Sequence, residues 1–337
     1  MTGKRDRWKK GKRTLAFFCG AAFLTALLAG CGAKVVLTAG LKKNEVFRIG
    51  TASCTLPELM VYLTNLQNQY EAVYGSRIWE ATDGSESLEQ EARSQVLDQL
   101  AQLKVMTLLS KEKGVELQEN ETERAAAAAK EYFASLSETE AKALNVDEKE
   151  LARMYGEYAL ADKVYREIVE NINPEISDDE ARTITVEAIR MEDADKAAQV
   201  AEKAGAEDAD FEALAQENSE DVTVTYSFGK GEMSQAIEEA AFNLGKGEVS
   251  GVVQDGESFY VLKCISTFDE AQTQANKEKI LEKRRSEAFN SEYDSFEKTL
   301  VRQLNEELWN SVTLIHNDEV KTSTFFEVYN MYFQTQG

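Results

Sequence analysis

The sequence predicts an α+β protein: a small sheet-containing domain inserted into a helical domain that both ends of the chain build together. Three observations carry this. From Thr55 to Asn173, apolar residues recur at helical spacing between capping signals. From Thr183 the pattern turns to strand-like alternation broken by short helices, with Asp255-Gly256 as a hairpin signal. From Glu270 a long charged helix returns, with an apolar stripe that cannot stay folded without a partner surface. At 337 residues the chain has room for two or three such units.

The elements follow in order. Val46–Gly50 reads as a strand. Thr55-Leu56-Pro57-Glu58 has the form of a capping box with proline in the first turn, opening a helix through Leu59, Leu63, Leu66 and Tyr70. Gly84 and Ser85 break the chain. A second helix runs from Leu88 to a stop at Gly114. Glu119 to Leu136, with the alanine run 125–129, is helical by propensity. Ser137-x-x-Glu140 and Asp147-x-x-Glu150 are further capping boxes, the second starting a helix through Leu151, Met154, Tyr158 and Ile168 that Asn173-Pro174 ends.

Beyond Pro174, Ser177-Asp178-Asp179-Glu180 caps a short helical entry. Thr183–Met191 alternates like a half-buried strand, with helices over Asp195–Ala204, Phe211–Glu217 and Ser234–Leu244. Strands are expected at Val222–Tyr226, Ser250–Val253 and Ser258–Ser266, and one unbroken helix from Glu270 to Trp309. The aromatic tail (Phe325, Phe326, Tyr329, Tyr332, Phe333) either covers the helical core or forms an exposed patch. The reading by segments is a leader at 1–30, a tether at 31–45, a helical domain at 46–174, the sheet domain at 177–268, and a long helix with tail at 269–337 packing on the helical domain.

Residues 1–30 carry seven Lys/Arg and one acid, and the remainder carries a net charge of −28. That surface repels phosphate backbones, so nucleic acid is not an expected partner. The single histidine, His316, rules out a multi-histidine metal site and most Ser-His-Asp or Cys-His catalysis. No phosphate-cradling glycine loop occurs, and no metal or cofactor is expected. A basic run, Lys4–Arg13, precedes the apolar stretch Thr14–Leu28, which is short for a membrane span. Leu28-Ala29-Gly30-Cys31 resembles the lipobox of bacterial lipoproteins. By that resemblance Cys31 becomes the lipidated N-terminus, and two acyl chains anchor the protein outside the cytoplasm. Cys54 and Cys264 sit in apolar runs and read as buried free thiols.

Asp210-Phe211-Glu212-Ala213-Leu214-Ala215, Asn218-Ser219-Glu220-Asp221, Gly229-Lys230-Gly231-Glu232-Met233 and the run Glu239–Ser250 (EAAFNLGKGEVS) resemble, in order, the motifs of the parvulin peptidyl-prolyl isomerases. Ser258–Lys263 resembles the family's last strand. With the lipobox and helical flanks, the whole chain resembles the PrsA/SurA-type extracytoplasmic foldase lipoproteins. The resemblance implies a four-stranded antiparallel sheet with helices, set in a SurA-N-like helical domain. It also implies a prolyl pocket of Met and Phe beside two histidines and a Cys or Asp.

Carried over by residue, Met233 falls on the pocket methionine, Ile237 on the second pocket aromatic, and Asp221 on the Cys/Asp position. Phe228 joins the pocket. The first-strand histidine position holds Ala188 and the last-strand position holds Tyr260. Asp221 and Tyr260 are thus the catalytic candidates, and Met233, Ile237 and Phe228 the substrate-binding ones. Each is also readable as packing or capping.

The expected function is a membrane-anchored foldase or chaperone for unfolded or secreted polypeptides, with isomerase activity weak or lost. An active isomerase using Met233, Asp221 and Tyr260 is the alternative, and a scaffold lipoprotein is a third. The envelope type and a homodimer are left open.

Overall fold

A computed structural model describes residues 40–83 and 86–334. The leader, the lipobox-like run and Cys31 therefore lie outside the described residues. The chain divides into two compact units. One comprises the chain up to Glu170 together with Phe289 onward, and the other Asn171–Ala288.

The first unit opens with strands β1 (Glu45–Ile49) and β2 (Ala52–Thr55). Helix α1 (Leu56–Tyr74) follows, capped by the Thr55 hydroxyl, which accepts from the Glu58 amide. A 3-10 turn (Ser76–Glu80) and a small hairpin, β3 (Thr82–Asp83) and β4 (Glu86–Ser87), lead to α2 (Leu88–Lys113). This helix ends on left-handed Gly114, φ 70°. Helices α3 (Glu119–Ser135), α4 (Glu138–Leu144) and α5 (Glu148–Glu170) complete this half.

The second unit follows in chain order. It has α6 (Asp178–Ala181), β5 (Thr183–Met191), α7 (Ala194–Ala204), α8 (Phe211–Asn218), β6 (Thr225–Gly229) and α9 (Gln235–Phe242). It closes with β7 (Val253–Asp255), β8 (Ser258–Ser266) and the start of α10 (Glu270–Glu297). The strands form an antiparallel sheet in the order β6-β5-β8-β7, as the family resemblance implies. The two-residue turn after Asp255 places Gly256 at φ 61°, a conformation a side chain resists.

Strand alternation gives this sheet two apolar faces. Ile189, Met191 and Val261 pack with Ala197, Val200 and Phe211 under α7 and α8. Ile184, Val186, Ala188 and Leu262 pack with Phe228, Ile237 and Ala241 under α9. The first turns of α10 lock onto the start of β5. The Thr183 amide donates to the Thr273 hydroxyl at 3.2 Å, and the Asn276 amide group donates to the Ala181 carbonyl at 3.0 Å. Gly229 lies so close under Asn276 that a methyl group there would collide with it.

The remainder of the first unit differs from expectation. The long helix stops at Glu297 rather than Trp309. Its last turn tightens as the Thr299 amide and hydroxyl both donate to the Phe296 carbonyl, at 2.9 and 2.7 Å. The chain then forms β9 (Arg302–Leu304), which pairs with β1 to make a sheet of order β2-β1-β9, and the short helix α11 (Glu306–Asn310). No proline or glycine marks this break; strand pairing with β1 overrides helical propensity. Two further strands are displaced. The one expected at Val222–Tyr226 forms at Thr225–Gly229, because Phe228 and Tyr226 have a core to face and Val222 is fully exposed. That expected at Ser250–Val253 forms at Val253–Asp255, in register with Tyr260.

Helix α12 (Phe325–Phe333) settles the role of the aromatic tail: Phe325 and Tyr329 are buried against the helical core. The segment leading to it is held by side chains rather than a sheet. The Gln67 amide donates to the Ile315 carbonyl and accepts from its amide, and Asn68 donates to the Thr322 carbonyl. Glu140 accepts from the amides of Lys321 and Thr322 while closing the capping box with Ser137. These contacts, with desolvation opposing them, hold the Glu140 carboxyl below its ordinary pKa.

Cys54 and Cys264 are both free and buried, and burial pushes both thiols up in pKa, Cys54 strongly. Among the described residues no helix is long and apolar enough to cross a membrane.

Candidate functional site

The sheet face under α9 is where the sequence-predicted residues of the second unit meet. On β5, Val186, Ala188 and Arg190 point to one side. Opposite residues in an antiparallel pair share a face, so Tyr226 (opposite Val186), Leu262 (opposite Ala188) and Tyr260 (opposite Arg190) join them. Phe228 and Ile237 are buried here, with Tyr260, Tyr226, Phe242 and Val253 packed around them. Phe242 sits edge-on to Phe228 at 6.1 Å.

Met233 lies in the loop before α9, about one-third exposed at 36%. Its amide and that of Gly231 both donate to Glu238 Oε1, at 3.0 and 2.6 Å. A glutamate of α9 thus pins the loop, which turns through Gly231 at φ 86°.

Asp221 is carried over the same face by a loop tied to β5. The Glu220 amide donates to the Arg190 carbonyl at 3.0 Å, and the Ala188 amide donates to the Val224 carbonyl at 2.7 Å. The Tyr226 hydroxyl donates to the Thr223 carbonyl at 2.6 Å and reaches Asp221 Oδ2 at 3.3 Å. Arg190 Nη1 stands 3.6 Å from Asp221 and 3.7 Å from Glu220. Its Nε donates to the Ser258 hydroxyl at 3.1 Å, and Arg190 faces Tyr260 across the β5–β8 pair.

Desolvation pulls against the Arg190 charge, but Asp221 and Tyr260 outweigh it, so the group titrates above the ordinary guanidinium value. Burial first, then the Asp221 carboxylate, push the Tyr226 phenol up in pKa, keeping it a neutral donor.

The structure therefore brings Asp221, Tyr260, Phe228 and Ile237 to one face, with Met233 in the loop that opens α9. Arg190 and Tyr226 join the polar end and were not among the predicted residues. The alternation of β5 already put Arg190 on the side of Ala188, and Tyr226 is two residues before Phe228. Cys31 lies outside the described residues. The first unit carries a separate open cleft of about 870 Å³, lined by Thr55, Pro57, Ala141, Val146, Glu150 and Arg153 among others.

Comparison with known families matches residues 146–275 to the PPIC-type PPIase domain. This chain carries a parvulin domain. It is homologous to PrsA foldase proteins. Foldase protein PrsA of Streptococcus sanguinis is 27% identical over 199 residues, 54% of this chain and 52% of that protein. PrsA of Streptococcus pneumoniae is 33% identical over 104 residues, 29% of this chain and 31% of that protein. This chain thus spans about half the length of the first of these and less of the second.

Among solved structures, PrsA of Bacillus cereus aligns over 74% of this chain and 97% of its own, at 17% identity and a TM-score of 0.37. A SurA-like chaperone of Campylobacter jejuni aligns over 78% and 99%, at 10% identity and a TM-score of 0.29.

Within the matched domain Phe228 and Ile237 are buried in one cluster, and Met233 lies in the loop before α9. Ala188 is buried in the same cluster, and Tyr260, partly buried against it, stands opposite Arg190.

Proposed function

We propose that the protein is a membrane-anchored extracytoplasmic foldase that binds unfolded secreted polypeptides, with prolyl isomerase activity weak or lost. One observation carries this reading. The parvulin face keeps an apolar floor, Phe228 and Ile237, while no histidine stands on it; the sole histidine, His316, belongs to the other unit.

Rotation about an X-Pro bond needs no covalent chemistry, only a site that holds the ring in an apolar pocket and favours the twisted amide. Binding a client needs still less. A net charge of −28 beyond the leader supports solubility beside sticky clients. The homology to PrsA foldases supports the same class, and the lipobox-like run ending at Cys31 supports the anchor.

Active isomerisation is the second reading. It is favoured by Asp221, Tyr226 and Arg190 in contact, with Tyr260 opposite Arg190, which together offer hydroxyl and guanidinium groups in place of imidazole.

Aggregation of a chemically unfolded secreted enzyme, followed by light scattering with residues 32–337 present, tests the leading reading. We expect suppression near equimolar ratio, alongside a prolyl peptide isomerisation rate within about tenfold of buffer. Aggregation unchanged by the protein would defeat the foldase reading. A rate raised a hundredfold or more would replace it with the enzyme.

A further inference from the structure

We infer that Glu192, Glu220 and Asp221 set the substrate class of the parvulin face: it takes clients with a lysine or arginine beside the proline and turns away those with an acid there. This rests on the polypeptide-binding reading above and names the client sequence its site selects.

The family match and the apolar floor of Phe228 and Ile237 supply the place for a proline ring; the carboxylates decide what can flank it. Tyr226 and Tyr260 pack against that floor, and each leads to the charged end. The Tyr226 hydroxyl reaches Asp221 Oδ2 at 3.3 Å, and Tyr260 stands opposite Arg190 in the β5–β8 register. Consecutive Cα atoms are only about 3.8 Å apart, so the residue beside a bound proline comes within reach of these charges.

Three carboxylates surround one guanidinium. Arg190 Nη1 is 3.6 Å from Asp221 and 3.7 Å from Glu220, and Nη2 is 3.5 Å from Glu192. With Nε donating to the Ser258 hydroxyl, the cation has a partner at every nitrogen and no fork left for a client carboxylate. Its side chain is 27% exposed, against 71% for Glu192, 40% for Glu220 and 35% for Asp221, so a client meets the acids first.

Two negative charges are left in excess. At the foot of the same loop Lys196 of α7 donates to the Asn218 carbonyl at 3.3 Å, and Asp193, which caps α7, offsets its charge. The acids are also held in place. The Glu220 amide donates to the Arg190 carbonyl, its Oε1 accepts from the Glu192 amide at 3.3 Å, and the Asp221 amide donates to the Ser219 hydroxyl at 3.3 Å. Partly exposed charges act over roughly a Debye length, about 8–10 Å in ordinary salt, and so read the sign of a flanking residue rather than its shape.

The test uses residues 32–337 and two acetylated, amidated tetrapeptides, Ala-Lys-Pro-Phe and Ala-Glu-Pro-Phe. The readout is the ratio of their affinities, taken from methyl shifts of Ile237 and Met233. We expect the lysine peptide to bind about tenfold tighter at low ionic strength, a preference that shrinks as salt is added. The paired variant Glu220→Gln, Asp221→Asn cancels the excess charge, and its ratio falls to within about twofold of one. Arg190→Gln moves the ratio the other way, above wild type, which damage to the fold would not do. Asp318→Asn, a fully exposed acid of the first unit, leaves the ratio unchanged.

A wild-type ratio of one would overturn the inference. So would a tenfold ratio that survives in the paired variant, because the preference would then belong to the net charge of the whole chain. Binding of neither peptide, with client aggregation still suppressed, defeats this inference alone. Binding of neither with no suppression defeats the foldase reading as well.

Discussion

Replacing Lys104 with methionine is expected to destabilise the helical unit by roughly 3–5 kcal/mol, the cost of stranding a buried charge. Lys104 is buried in the middle of α2. Its Nζ lies 2.6 Å from Glu58 Oε1 and 2.6 Å from Glu157 Oε2. Glu58 is fully buried, and its second oxygen meets Arg153 Nη2 at 2.9 Å. Arg153 also binds Glu150 and Glu157, so one ionic network joins α1, α2 and α5.

Burial alone would lower the Lys104 pKa; Glu58 and Glu157 more than offset it and hold the ammonium above its usual value. Without it, Glu58 keeps only Arg153. Trp79 and Trp309 both belong to this unit, and the third tryptophan, Trp8, precedes residue 32. Tryptophan fluorescence of residues 32–337 in guanidinium chloride therefore reports the loss. The paired variant Glu58→Gln, Lys104→Met is expected to recover part of it. A midpoint unchanged in Lys104→Met would contradict the network's role.

Phe325→Ala is the second large effect, about 3–5 kcal/mol for an aromatic ring removed from a closed core. The ring is completely buried and stacks on Tyr155 at 4.3 Å, with Tyr132 and Tyr62 edge-on or tilted at 5.3 and 5.4 Å. Its backbone is equally committed. The Phe325 amide donates to Asn65 Oδ1 at 3.0 Å, and its carbonyl accepts from the Tyr155 hydroxyl at 2.9 Å. Asn65 in turn donates to the Tyr132 hydroxyl at 2.8 Å. The same tryptophan-detected unfolding reads this variant. A loss under 1 kcal/mol would mean that α12 is a removable appendage rather than part of the core.

These two cases mark where sequence was legible and where it was not. Caps and turns are local, and several were readable: Ser137 with Glu140, Gly114 as a helix stop, Gly256 in its hairpin and all of β8. Glu58 was readable only in part. At the third position after Thr55 it looks like the reciprocal acid of a capping box, but only the Thr55 half forms. Its carboxylate turns inward to Lys104 and Arg153, distant in sequence, and no local pattern announces that pairing. The strand β9 escaped for the same reason. Its residues continue a helical stripe, and only β1, some 250 residues earlier, offers them a sheet edge.

The site divides likewise. Phe228, Ile237, Asp221 and Tyr260 were named from the family resemblance and share one face, whereas placing Arg190 opposite Tyr260 needed the β5–β8 register.

The central claim is that the parvulin face binds prolyl segments without catalysing their isomerisation efficiently. The most direct measurement is methyl NMR of residues 32–337 labelled at methionine and isoleucine, titrated with a proline tetrapeptide. The account predicts saturable shifts at the Ile237 and Met233 methyls, with cis–trans exchange of the bound peptide remaining slow. Shifts confined to other methyls would contradict the binding face, and exchange accelerated a hundredfold or more would contradict the loss of catalysis.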